Sequence, residues 1–363
     1  MFGKMMLMFS ITGLVMAASG KGPVVNVCDS KLKGSKLLDG VTEECVTFFS
    51  RESLDSDKEL ARKGVVIKRP NAKATVLICH GFKCDKYDVS FLHMLFNEYN
   101  SMAFDFRAHG EDKEGQCCTF GRDESYDVIA AAEYIKNDPE LKKVPLIAYG
   151  FSMGASAAII AQARERDLFD AMILDCPFDS SDKLLDRGLA QLKVSVFGYE
   201  MPMPGSGWLK SYGYSPYVQT ALKNILKTFT NFGAEDIVVN FVPVYPEEAI
   251  KYVEIPCFFI GCINDSKAPE EAVLKVYEGA KGFKRCWIDT DGRKHYDTIF
   301  RQMHQYFYKV DRFIKIILDG SYKKKVPAKI RKDKPECILT PGTTTTPTFS
   351  KGNPKKNPLG KRL

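Results

Sequence analysis

Of the residues in this 363-residue chain that could make or break a covalent bond, Ser152 has the most suggestive setting. It lies in Gly150-Phe151-Ser152-Met153-Gly154, a G-x-S-x-G sequence between an apolar run, "PLIAY", and small residues at helical spacing, "GASAA". A strand turning directly into a helix brings backbone against backbone, where a Cβ would clash, and holds the residue between the glycines strained with its hydroxyl exposed. A serine hydroxyl is a poor nucleophile near neutral pH and needs a base, which needs an orienting acid. On such an elbow the expected chain order is nucleophile, acid, histidine. That order excludes His80, His93 and His109, which all precede Ser152. His304 falls inside a helical pattern, whereas His295 lies in "IDTDGRKHYD", a loop after the last strand-like run, and is the candidate base. Asp265, in "FFIGCINDSKAP", is the favoured acid, with Asp175 and Asp179 of "LDCPFD" as alternatives. Two N–H donors must hold the developing oxyanion. Met153, just after the nucleophile, is one candidate. Phe82, in the loop after "TVLIC" that Gly81 opens for close approach, is the other.

These residues need a scaffold that delivers them to one rim. From Ala74 to Leu318 short, continuously apolar runs alternate with amphipathic stretches. The runs are "TVLIC", "SMAFDF", "PLIAY", "AMILDC", "PCFFIG" and "CWID". The helix candidates are "YDVSFLHMLFNEY", "SYDVIAAAEYIKN", "MGASAAIIAQARE" and "APEEAVLKVYEGA". Apolar runs without alternation fit strands covered on both faces, so the pattern predicts a mostly parallel α/β sheet, whose ligand sites lie at the strands' carboxyl ends. "EECVTFFSRES" and "GVVIKRP" read as a further antiparallel edge hairpin. One connection is too long for a crossover helix. Pro177 to Glu254 spans 78 residues and includes six aromatics within "FGYEMPMPGSGWLKSYGYSPY", which reads as a lid over the site.

The net charge of +7 belongs to the C-terminus alone. Residues 321–363 hold 12 Lys+Arg against 2 Asp+Glu, leaving the body at about −3. Nothing in the body suggests a nucleic-acid groove. The tail, rich in Lys, Pro, Thr and Gly, reads as disordered. At the other end, "MFGKMMLMFSITGLVMAASGKG" has the layout of an export signal or N-terminal anchor over residues 1–20, which implies an exported or membrane-attached protein. Residues 21–61 are then an N-terminal segment, 62–320 the catalytic domain and 177–254 its insertion. Among 11 cysteines there is no C-x-x-C pair and no zinc spacing, so neither a metal nor a cofactor is implied. Cys28 and Cys45 are the expected bridge in an exported protein, and Cys117-Cys118 reads as a pair of idle thiols in a polar loop.

With these motifs in place, the sequence resembles the α/β-hydrolase superfamily. "ICHGF", "FDFRAHGED", "YGFSMGASAA", "IGCINDSKAP" and "DGRKHYD" occur in that family's order across roughly 70% of the chain. The pattern is most similar to Bem46-like and serine-aminopeptidase-like branches and to prolyl-oligopeptidase-type catalytic domains. The resemblance implies an eight-stranded sheet, a lid after the sixth strand and a triad Ser152–Asp265–His295. It departs from the pattern in reading G-A after the elbow's methionine and in carrying an extra residue in "GCIND". The implied activity is acyl transfer from an ester or thioester with an apolar acyl group. The alternatives are a serine peptidase, for which Glu247–Glu248 or Glu270–Glu271 would fix a substrate terminus, and a non-catalytic binding module on the same fold. The expected partner is accordingly a small ester or short peptide, with membrane association through the N-terminus as a further expectation.

Overall fold

Runs such as "TVLIC" are apolar at every position because both of their faces are covered, and the computed structural model shows by what. It describes residues 40–190, 193–196, 199–202, 214–215, 218–220, 237–292 and 294–325, all within one compact unit. Eight strands form the main sheet: β1 (Thr42–Arg51), β2 (Glu59–Lys68), β3 (Thr75–Cys79), β4 (Asn100–Phe104), β5 (Leu146–Phe151), β6 (Ala171–Asp175), β9 (Cys257–Cys262) and β10 (Lys284–Asp289). A separate hairpin pairs β7 (Lys193–Val196) with β8 (Tyr199–Pro202). The order across the sheet is β1-β2-β4-β3-β5-β6-β9-β10. The β1–β2 and β2–β4 pairs are antiparallel and all later pairs parallel, matching the expected sheet.

Alternate residues of each inner strand enter opposite layers. Leu77, Ala148, Leu174 and Phe259 join the layer beneath α1 (Glu124–Asn137), α2 (Met153–Arg164) and α4 (Glu270–Gly279). Ile78, Tyr149, Ile173 and Phe258 join the layer beneath α5 (Met303–Leu318). The small residues of "GASAA" are the reason α2 lies close to the sheet: all twelve residues of this helix are buried.

The structure moves three expectations. The catalytic domain does not begin at residue 62, because β1, inside the segment 21–61, pairs with β2 over ten registered residues and supplies Phe48 to the core. The helix expected over "YDVSFLHMLFNEY" shrinks to four residues, Leu92–Leu95. Polar anchors hold that stretch in turns. Asp85 accepts the N–H groups of Tyr87 and Asp88, Lys86 is buried on Asp105 at 2.6 Å, and His93 Nδ1 meets Ser101 Oγ at 2.8 Å. The apolar period is thus spent on separate turns. In the insertion, α3 (Ser181–Ala190) and the returning segment from 237 onward are described. Most of the aromatic stretch, like residues 1–39 and 326–363, lies outside the described residues. Cys118 is buried, and its N–H and C=O bond Val238 and Asn240 of that returning segment. Cys45 is disulfide-bonded, while Cys28, its expected partner, lies outside the described residues. No helix among the described residues is long and apolar enough to cross a membrane.

Candidate functional site

The elbow is built as its two glycines require. Ser152 follows β5 directly and caps α2 with φ 53° and ψ −118°, a conformation rare outside glycine. A Cβ on Gly154 would stand 2.1 Å from the Cys79 carbonyl oxygen of β3, and one on Gly150 would stand 2.7 Å from α2 backbone. Neither neighbour can yield, since both are backbone. The strained residue is held at each side: Ser152 N–H donates to Asp175 C=O of β6 at 2.8 Å, and its own C=O accepts the Ser156 N–H.

Two further loops carry Asp265 and His295, the candidate acid and base. Asp265 lies three residues past β9, after a turn that leaves Ile263 and Asn264 exposed and so takes up the extra residue of "GCIND". His295 lies six residues past β10. Its loop passes against β9 at Gly292, where a Cβ would fall 2.2 Å from Cys262 Sγ, and Asn264 Nδ2 donates to the Gly292 carbonyl at 3.1 Å. His295 Nδ1 then sits 2.6 Å from Asp265 Oδ2. Asp265 is 2% exposed, and burial alone would disfavour its charge. Hydrogen bonds from His295 and from the Lys267 and Ala268 N–H groups outweigh burial and hold the carboxyl below its ordinary value. The second ring nitrogen, His295 Nε2, is buried with no hydrogen-bond partner among the described residues, and His295 and Ser152 line the same pocket.

The two alternative acids are occupied elsewhere. Asp179 meets Arg187 at 2.5 Å and Lys183 at 3.2 Å. Asp175 accepts the Tyr306 hydroxyl at 2.6 Å and the Cys176 thiol at 3.2 Å, and burial pushes its carboxyl up to about 6. Tyr306 also meets the Tyr149 hydroxyl at 2.8 Å, and Tyr149 meets that of Tyr296 at 3.1 Å. Tyr296 is the residue after the histidine; it takes φ 60° and stacks on Phe151 with ring centroids 3.9 Å apart. Nothing in the sequence pointed to this chain of hydroxyls, because its members are scattered over β5, β6, the histidine loop and α5. Cys176 Sγ, an Asp265 oxygen and a His295 nitrogen lie within 4.8 Å of one another, the arrangement of a possible cation site. Burial with the neighbouring Asp175 and Asp265 charges holds the Cys176 thiol well above its ordinary value, and the thiol donates to Asp175 at 3.2 Å.

Phe82 and Met153, the two residues the sequence offers as oxyanion donors, also line the pocket. The Phe82 loop is shaped by His80. This ring is fully buried, donates from Nδ1 to the Gly81 carbonyl at 2.8 Å and accepts the Phe106 N–H at Nε2 at 3.1 Å. Burial, with the charge of nearby groups, keeps its pKa well below the usual value, so the ring is the neutral tautomer that these two bonds require. His80 was a strand-end histidine in the sequence, and its proton-fixed positioning task was not legible there.

The family described as "Serine aminopeptidase, S33" matches residues 70–202. A protein of Bacillus subtilis (strain 168), the uncharacterized YqkD, is 25% identical over 262 residues, covering 71% of this chain and 77% of that protein. Among solved structures, an esterase from Pyrococcus furiosus superposes with TM-score 0.55 at 23% identity, over 75% of this chain and 90% of the other. An acylaminoacyl peptidase from Pyrococcus horikoshii does so with TM-score 0.53 at 16% identity, over 78% of this chain and 43% of the other. Strand order, elbow and these likenesses agree on one architecture: the chain has the α/β-hydrolase fold.

Proposed function

We propose that the protein is a serine hydrolase acting through an acyl-enzyme on Ser152, with Asp265 and His295 completing its triad. One observation carries this reading: His295 gives Nδ1 to a buried carboxylate at 2.6 Å and keeps Nε2 unpartnered in the pocket that Ser152 lines. Asp265 fixes the tautomer with the proton on Nδ1, so Nε2 is the basic nitrogen. It removes the hydroxyl proton as Ser152 Oγ attacks a carbonyl carbon, and Asp265 stabilises the imidazolium that results. The oxyanion is received by the N–H groups of Met153, at the start of α2, and Phe82. The imidazolium then protonates the leaving group, and water activated by the same nitrogen releases the acyl group.

Ester or thioester cleavage is preferred over peptide cleavage. The pocket has an apolar floor that includes Phe120 and Phe178, and none of the described residues lining it is an acid able to hold a peptide's terminal ammonium. Glu247 is paired with Lys275 and Glu248 with Lys251, and neither Glu270 nor Glu271 lines the pocket. The peptidase reading keeps one argument, the description of the matching family and the acylaminoacyl peptidase among the fold neighbours.

A fluorophosphonate probe should label the folded protein, and Ser152→Ala should abolish labelling. Absence of labelling in the native protein overturns the reading. Because serine and histidine act as one unit, Ser152→Ala, His295→Ala and the double variant should lose similar activity, each about 10³-fold or more. Independent, additive losses would contradict the assignment. A panel of acyl esters against aminoacyl amides separates the two hydrolase classes.

A further inference from the structure

A bulky residue with positive φ stands in the lining of the pocket beside Ser152. Phe120 takes φ 55°, a left-handed conformation that aromatic residues rarely adopt. Such a conformation persists only where the surroundings fix it, and such positions gather at ligand sites. Here the fixing is explicit. Glu124, the fully buried first residue of α1, accepts the Thr119 N–H at 2.7 Å, the Thr119 hydroxyl at 2.8 Å and the Gly121 N–H at 2.8 Å. One carboxylate thus grips the residues on both sides of Phe120. Phe241, on the insertion's returning segment, stacks on the Phe120 ring with centroids 5.6 Å apart. Cys118 is tied to that same segment, donating its N–H to the Val238 carbonyl at 2.7 Å and accepting the Asn240 N–H at 2.8 Å. The ring is therefore pinned through its backbone and through its face.

The same turn touches both residues that supply the proposed oxyanion donors. The Phe120 ring packs on that of Phe82 with centroids 5.1 Å apart, and Cys118 Sγ lies 3.5 Å from Met153 Sδ. The oxygen received by those donors belongs to the acyl group, whereas the leaving group must bring its own atom within reach of His295 Nε2. A wall built on the donors' side chains therefore bounds the acyl group. Phe178 and Leu184 add apolar surface to it, and the cavity encloses about 180 Å³, below the ~300–1,000 Å³ typical of sites for drug-sized ligands.

We infer that Phe120 is the specificity-determining residue of the acyl site: its pinned ring closes the apolar pocket, admitting short acyl chains and excluding long ones. This rests on the acyl-transfer reading of Ser152 and adds the size of the acyl group to it. The test is a series of p-nitrophenyl esters, acetate, butyrate, hexanoate, octanoate and decanoate, each kept below its micelle concentration. In the native protein kcat/KM should peak at butyrate or hexanoate and fall by about tenfold or more at decanoate. In Phe120→Ala the ratio of decanoate to butyrate kcat/KM should rise by about tenfold or more, with Phe120→Leu in between. Phe120→Gly, which relieves the positive φ as it opens the wall, is the second variant, and fluorophosphonate labelling of Ser152 reports which variants are folded. Methyl, butyl and octyl butyrate, varied on the alcohol side, should keep the same ranking in native and variant proteins. A native preference for decanoate overturns the inference without any variant. So does a variant that loses every chain length in proportion, the mark of a purely structural role, or a shift confined to the alcohol series. Labelling of Ser152 with turnover of no ester overturns this inference alone. No turnover together with no labelling of the native protein overturns the underlying reading and this inference with it.

Discussion

Asp175 is the residue whose surroundings depart furthest from what its position in the chain suggests. It reads as a possible catalytic acid, yet its carboxyl is fully enclosed, bonded to Tyr306 and Cys176, and raised by burial to about 6. In the unfolded chain the same group titrates near ~3.9. Between those values the native state binds more protons than the unfolded state, so this carboxyl's contribution to stability is complete below about pH 4 and is lost as pH rises through about 6. The ceiling is roughly 3 kcal/mol, two pKa units at about 1.4 kcal/mol each. Asp175→Asn keeps an oxygen for the Tyr306 hydroxyl and removes the titration. Denaturant unfolding should therefore show the variant gaining stability relative to the native protein between about pH 4.5 and about pH 8. A difference that does not change with pH would contradict the account. Sequence order alone left three carboxylates open, and only the 2.6 Å contact of His295 with Asp265 separates them.

The elements explain why the elbow of Ser152 and the loop of His295 stand out in the sequence and the groups that support them do not. The elbow demands glycine at fixed places, and that demand is written in five consecutive residues. Gly154 lies so close to the end of β3 that Gly154→Ala should cost at least the upper end of the ~1–3 kcal/mol typical of overpacking, measurable as a lowered unfolding midpoint with weakened probe labelling. A variant as stable and as reactive as the native protein would show that β3 and α2 can separate. The inner strands were equally legible, because cover on both faces removes every polar position from them. The shortened helix at Leu92–Leu95 was not, since its apolar spacing is helical while Asp85, Lys86 and His93 take their partners from elsewhere in the fold. The Tyr149–Tyr306–Asp175 chain leaves no local pattern at all, with Tyr306 131 residues from Asp175.

At the scale of the molecule, chemistry and covalent cross-linking lie in separate parts of the sheet. Ser152, Asp265 and His295 follow β5, β9 and β10, whereas the disulfide of Cys45 is on β1, the opposite edge strand. Reduction should lower stability by roughly 2–4 kcal/mol in denaturant unfolding while the rate of fluorophosphonate labelling stays unchanged. A labelling rate that falls with reduction would reveal coupling from β1 to the site. The other edge has no such separation. Tyr306 lies on α5 and is bonded to Tyr149, which meets Tyr296, the chain neighbour of His295. Helix α5 is in this way a brace for the loop of His295, clamped to the sheet's interior by phenols. The short link from Asp297 to Gln302, with Phe300 half exposed on it, joins brace to base. Losing the helix's grip, as in Tyr306→Phe, would leave every strand in place and the serine elbow untouched while loosening the chain of phenols that ends beside His295.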